Sequence, residues 1–504
     1  MMSLLTALVI VVGPCDAVPT FADGRVPSRE LHVAPGGSDA SGDGTPGRPY
    51  ASIVFAASRA TPGTAVRVHA GTYPGGMFID RLAGTPEAPI WIGGAPGQAR
   101  PLIQGGTNGL HLSRARGLVL HDLEFAGATG NAVNCDDGGD VGNADAARHI
   151  VFERLAIRDV GGTGNQDGLK LSGVREFWVL ACEISRCGGA GSGSLIDMVG
   201  CHRGIVARCD LHDASGNALQ CKGGTTGVEL KWSRLVECGE RAVNIGGSTG
   251  LQFFRPPVSE TEPNAEARDV HVIGNVIQGA NAALAFVGAV DCTASNNTII
   301  TPHNWIFRVL QETTTTGAYT FLACGNNRFE NNLVYFDRSD LSTYVNIGPG
   351  TSPGSFVFAH NLWYAYDAPG ASRPALPSPE IGGLAGVDPL LATKRPAVMG
   401  DYSIGPESPA AGAGLPPPGA GRIAGDFAGR CYRGSPSIGA YEFSCRPDFN
   451  GDGNADQDDV EYLRAVIAGG ANPNARDPDF NRDGNVDQDD VSDLIEVVAG
   501  GECP

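Results

Sequence analysis

The stretch DVHVIGNVI, Asp269–Ile277, carries the pattern that decides the fold. Apolar and polar residues alternate, the alternation stops at Gly274–Asn275, and it resumes with Val276 and Ile277, as in two short strands joined by a tight bend. The same nine-residue unit starts at Gly117, His149, Glu176, Arg203 and Gly227 before it, and at Asp291, Asn326 and Ser355 after it. Its seventh position reads Leu123, Leu155, Cys182, Cys209, Ser233, Asn275, Asn297, Asn332, Asn361. Four successive asparagines at one register form a ladder when units stack, because each amide both donates and accepts. The units recur every roughly 22 to 42 residues, too short to bury an apolar face alone, so a solenoid of stacked coils is expected.

Each unit is followed by a loop and another short strand. Aligning these strands by their apolar residues places Val133 and Cys135 over Leu169 and Leu171, then Ile196 and Met198, Leu219 and Cys221, Val243 and Ile245. Alternation sends the intervening residues outward: Asn134, Lys170, Asp197, Gln220 and Asn244 in one column, with Lys222 two residues along from Gln220. The chain has 36 Lys and Arg, only four of them lysines, and two of the four fall on this face with Asp197 between them in the stack. A lysine can act as a base where an arginine cannot. An outward side chain should be removable without leaving a cavity.

The repeats resemble a right-handed parallel β-helix of the pectate-lyase type over about residues 31–443. The opening HVAPGGSDASGDG and the closing GDFAGRCYRGSPSIGAYEF resemble the ends of such proteins, with a short helix around Ser52 to Ala60 as a cap. NCDDGGD (Asn134–Asp140) followed by GNQDGLKLSG (Gly164–Gly173) resembles family-9 pectate lyases. That resemblance implies Ca²⁺ at Asp136, Asp137 and Asp140, with Lys170 as base. LQCKGGTTGVELKWSRL, from Leu219, resembles the rung of chondroitinase B and related alginate lyases that carries the lysine base, which would be Lys222. Their arginine one rung later is missing from AVNIGG, with Arg241 close by. Lys170, Lys222, Asp197 and Arg241 are thus the candidate catalytic residues, and Asn134, Asp167, Gln220 and Asn244 the candidate substrate-binding ones. Both resemblances imply β-elimination on an acidic, uronic-acid polysaccharide: a cation neutralises the C6 carboxylate and a lysine removes the C5 proton. A glycoside hydrolase, needing two carboxylates about the scissile bond, is the weaker enzymatic alternative. A non-catalytic glycan-binding or surface-adhesion protein is the alternative of another class.

The tail, residues 446–504, repeats itself. DFNGDGNADQDD from Asp448 and DFNRDGNVDQDD from Asp479 place oxygen ligands at the spacing of a calcium loop, with glycine at its sixth position. The ligand candidates are Asp448, Asn450, Asp452, Asn454, Asp456 and Asp459, and Asp479, Asn481, Asp483, Asn485, Asp487 and Asp490. Apolar helices VEYLRAVIAGG and VSDLIEVVAGG follow. The pair resembles a type I dockerin, a small α-helical module with EF-hand-like loops, which implies docking to a cohesin-like or cell-surface protein. Cys445 and Cys503 bracket the module, and a disulfide between them is expected.

The tail holds 15 Asp and Glu against 4 Lys and Arg, so −11 of the net charge of −19 lies there. Such an acidic balance argues against a nucleic-acid partner. The apolar run Leu4–Val12 followed by small residues reads as a secretory signal within residues 1–22, cut near Ala17 or Ala22, which would remove Cys15. A secreted or cell-surface protein without a membrane span is expected. Most of the remaining cysteines should be buried apolar residues of the stack, since no zinc-type CxxC pair occurs.

Overall fold

A computed structural model describes residues 15, 17–162, 164–393, 400–416, 425–432, 435–443, 445, 447–452, 454–474, 476–481 and 485–501. Three long sheets of 14, 10 and 12 strands run along the molecule, here the first, second and third sheets. Neighbouring strands in each are parallel. One coil shows the path: Ala147–Glu153 in the first sheet, Ala156–Val160 in the third, Leu169–Ser172 in the second, then Val174–Leu180 back in the first. The expected parallel β-helix is thus the observed architecture.

The nine-residue unit spans the corner between first and third sheets. Its sixth residue turns the chain: Asp122, Arg154, Ala181, Arg208, Trp232, Asn296, Asn331 and His360 are all left-handed, with φ from 50° to 56°. That conformation costs an L residue roughly 1–2 kcal/mol. Where the inward seventh residue is asparagine, its amide offsets this by serving the bend's backbone. Asn275 Nδ2 donates to Asn297 Oδ1 (3.0 Å), Asn297 to Asn332 (2.9 Å) and Asn332 to Asn361 (3.1 Å). Each Oδ1 also accepts the backbone N–H of the seventh residue one rung before it, as Asn297 Oδ1 does from Asn275 at 3.0 Å. The ladder ends on Glu380, which takes the Asn361 amide and the Trp363 indole at 2.8 Å each.

Between the sheets, aliphatic columns give way to aromatic ones toward the C-terminal end, where Phe329 stacks between Phe307 (5.1 Å) and Trp363 (5.5 Å). Cys135, Cys182, Cys209 and Cys221 are buried among them as free thiols. Helix α1 (Ile53–Ser58), capped by Ser52, packs Ile53, Ala56 and Ala57 onto the first coils. No helix among the described residues is long and apolar enough to cross a membrane.

Cys15 forms a disulfide with Cys431, and Phe21 packs on Trp178 (5.7 Å) and His149 (5.5 Å). Both lie against the outer surface of the first sheet, where Trp91, Val119, Val151 and Trp178 point outward. The apolar run Leu4–Val12 of the expected leader lies outside the described residues.

In the tail, helices α2 (Gln457–Ile467) and α3 (Gln488–Val498) start three residues before the expected Val460 and Val491. Asp456 and Asp487 are their N-caps, each in a reciprocal capping box with Asp459 or Asp490. Phe449, Val460 and Leu463 pack against Phe480, Val491 and Leu494, duplicate upon duplicate. Cys445 is disulfide-bonded. Its expected partner Cys503, and the expected ligand Asp483, lie outside the described residues.

Candidate active site

The second sheet's register confirms the outward column residue by residue. His111 pairs with Asn134, Asn134 with Lys170, Lys170 with Asp197, Asp197 with Gln220 and Gln220 with Asn244. A second polar ladder edges the sheet: Asn131 Oδ1 accepts from Asp167 N, and Asp167 Oδ1 from Ser194 N, both at 2.8 Å. Asp167 is thereby built into the wall, and only 1% of it is exposed.

Lys170 lies between two carboxylates. Its Nζ is hydrogen-bonded to Asp197 Oδ2 and sits 3.2 Å from Asp167 Oδ2. Lys222 Nζ reaches the same Asp197 Oδ2 at 3.6 Å and donates to Gln220 Oε1 at 3.2 Å. The expectation that the whole column faces solvent is corrected: Asp197, Gln220 and Asn244 are buried. Rungs about 4.8 Å apart let long neighbours cover short ones, and Asp197 lies beneath both lysines. Burial works against the Lys170 charge, but Asp197 and Asp167 outweigh it and hold the amine above the ordinary lysine value. Burial, and then the Asp197 charge, push the Asp167 carboxyl up to about 6. Arg241 is turned to Asn244 Oδ1 (3.0 Å) and Glu312 Oε1 (3.1 Å).

The three aspartates that resembled a calcium site do not converge. Asp136 Oδ2 takes His111 Nε2 at 2.6 Å and Asn134 Nδ2 at 2.9 Å. Asp137 is buried and holds the Arg255 guanidinium through both oxygens, at 2.8 and 3.0 Å. Asp140, exposed, bonds Asn143. Strand alternation separates Asp136 from Asp137, and Arg255 already supplies the positive charge. These residues do not fit a calcium ion, and among the described residues no three His, Cys, Asp or Glu side chains form a metal-holding group. In the tail loops the donor set is all oxygen, which suits Ca²⁺ in kind. Its carboxylates gather loop amides: Asp459 takes Asn450 N and Asp456 N, and Asp490 takes Asn481 N and Asp487 N.

Two residues on this face escaped the reading of the sequence. His111 sits one rung before Asn134 with Phe78 against its ring at 4.9 Å, and Phe78 is 54% exposed. The outward register of GLHLS was the available signal. Arg308, further along the column, is the other.

Fold and face together define the chain as a three-sheet parallel β-helix protein. Similar solved structures include XylC in complex with xylose, at TM-score 0.51 and 11% identity over 82% of this chain and 98% of that one. They also include pectate lyase Pel9A (0.49, 15%, covering 84% and 98%) and an alginate lyase from Paenibacillus sp. (0.43, 14%, covering 65% and 99%). At such identities the likeness extends to the fold. No family model matches the sequence, and neither does any curated protein.

Proposed function

We propose that this protein is a carbohydrate-active enzyme, a lyase that cleaves an acidic, uronic-acid polysaccharide by β-elimination on the outer face of the second sheet. The observation that carries the reading is the cluster Lys170–Asp197–Lys222 on a face otherwise lined by amides, histidine and an aromatic ring. The two lysines divide the work. Lys170, held charged by two buried carboxylates, is the fixed cation that meets the C6 carboxylate and acidifies the C5 proton. Lys222, with one carboxylate at 3.6 Å, is the base. It takes the C5 proton, the electron pair forms the C4–C5 double bond, and the C4–oxygen bond breaks. The proton then passes to the departing oxygen. A hydrolase would need Asp167 and Asp197 to touch the sugar, but both lie buried behind Lys170.

The tail is proposed as a calcium-binding, dockerin-like docking module for a cohesin-like or cell-surface partner, and the protein as secreted or displayed at the cell surface. Support comes from the duplicated loop–helix units with matching caps and a shared apolar core. The disulfide at Cys445 also suits an oxidising compartment.

The test is ultraviolet absorbance of unsaturated uronate on polygalacturonate, alginate and chondroitin sulfate. Release of product from one of them, lost in Lys222→Ala, supports the reading. Binding of a polymer with no unsaturated product would make the protein a non-catalytic glycan binder.

A further inference from the structure

The strands of the second sheet continue beyond the lysine cluster, and their outward column runs Asn244, Ala285, Arg308, Asn346. Arg308 Cζ stands 4.3 Å over the Trp305 ring, and its Nε donates to Asn346 Oδ1 at 2.9 Å. Ring and amide together fix the plane of the guanidinium. A guanidinium has five N–H donors, and Asn346 takes one.

Lys170, Lys222 and Arg241 each lie within ion-pair distance of a carboxylate. Arg308 has no carboxylate within 4.0 Å among the described residues. Glu312 and Glu240 bear on its charge from further away, and Glu312 is engaged by Arg241. Burial, and then the Arg241 charge, lower the Arg308 pKa from its ordinary value. On the rung before it stands Ala285, which is fully buried, so Arg308 is the next polar side chain that the column presents after Asn244. An oriented, part-buried guanidinium with donors left over and a second cation nearby is an arrangement that an anion completes.

We infer that Arg308, with Trp305 and Asn346, forms a second subsite that binds an anionic group, carboxylate or sulfate, of an acidic polysaccharide. The inference rests on the proposed function for its substrate class. The Arg308 strand lies three rungs beyond that of Lys222, about 14 Å at the usual strand spacing. Only a polymer or a longer oligosaccharide reaches both. Arg308 is therefore a binding residue remote from the chemistry, acting through KM.

The experiment measures affinity of the full chain and of Arg308→Gln for polygalacturonate, dextran sulfate and neutral dextran, each at low and high salt. Loss of one charged contact should weaken an acidic polymer about tenfold, with a shallower salt dependence, no change on dextran and unchanged melting. Weakening on polygalacturonate alone assigns carboxylate, and on dextran sulfate alone sulfate. Equal affinity of both proteins for both acidic polymers, or no binding of either by the unaltered chain, overturns the subsite. Binding needs no turnover, so loss of affinity in Arg308→Gln without any elimination sustains the subsite while removing the lyase reading. Elimination with unaltered Arg308→Gln affinity does the reverse.

Discussion

Asp197 has no exposed surface, yet its carboxylate anchors both lysines of the site. Deleting Lys170 leaves two buried carboxylates facing each other, so Lys170→Ala should cost about 3–5 kcal/mol as well as activity. This reverses the expectation, drawn from its outward position, that its loss spares the fold. Urea unfolding checks it: a midpoint equal to that of the unaltered protein would show that the pair is not buried as described. Asp167 adds a pH signature. Its folded pKa, about 6, lies above the ordinary carboxylate value, so the folded state binds more protons in between. Its contribution is most favourable at low pH and is lost as pH rises from about 4 to about 6. Asp167→Asn keeps the oxygen that accepts from Ser194, and melting curves across that window should lose the corresponding slope.

The asparagine ladder was legible at the level of the strand–bend–strand unit because each rung repeats one local requirement, an inward amide after a left-handed residue. Asn297 is fully buried. It donates to Asn332 Oδ1 and Val272 O, and accepts from Asn275. Asn297→Ala orphans these groups, at about 1–3 kcal/mol each, and a loss above about 3 kcal/mol in urea unfolding is expected. What covers the outer face was not legible. Alternation says which way a side chain points and leaves open what crosses it. Arg255 reaches Asp137 across 118 residues of sequence, over Gly173 and Gly200, where an added Cβ would meet Asp137 Oδ2 at 2.3 Å and Arg255 Cβ at 2.5 Å. That long-range pair, and His111 on Asp136, dissolve the calcium site suggested by NCDDGGD. The strand register of Lys170 and Lys222 was legible because both lie within regular strands.

Across the whole molecule the β-helix and the tail are held by different forces. Stacked apolar columns and amide ladders hold the β-helix, whereas the tail has a small core beside two loops rich in carboxylates, whose repulsion the proposed calcium would relieve. Chelation should therefore raise hydrogen exchange in α2 and α3 while the three sheets keep their protection; unchanged exchange in both helices would show that calcium does not hold the tail. Cys15 bridged to Cys431 predicts that peptide mapping of the mature, non-reduced protein recovers that linkage. Free Cys431 in a chain starting at Val18 or Asp23 would instead bear out the expected leader cut. The central claim is that Lys222 removes a proton from a uronate held by Lys170. It is tested most directly by following unsaturated product from the acidic polymer that the full chain cleaves, beside Lys222→Ala. The account predicts an absorbance rise for the unaltered protein and a rate lower by about 10²–10⁴ in the variant, with unchanged melting and polymer binding. New reducing ends without absorbance, or full activity in Lys222→Ala, would contradict it.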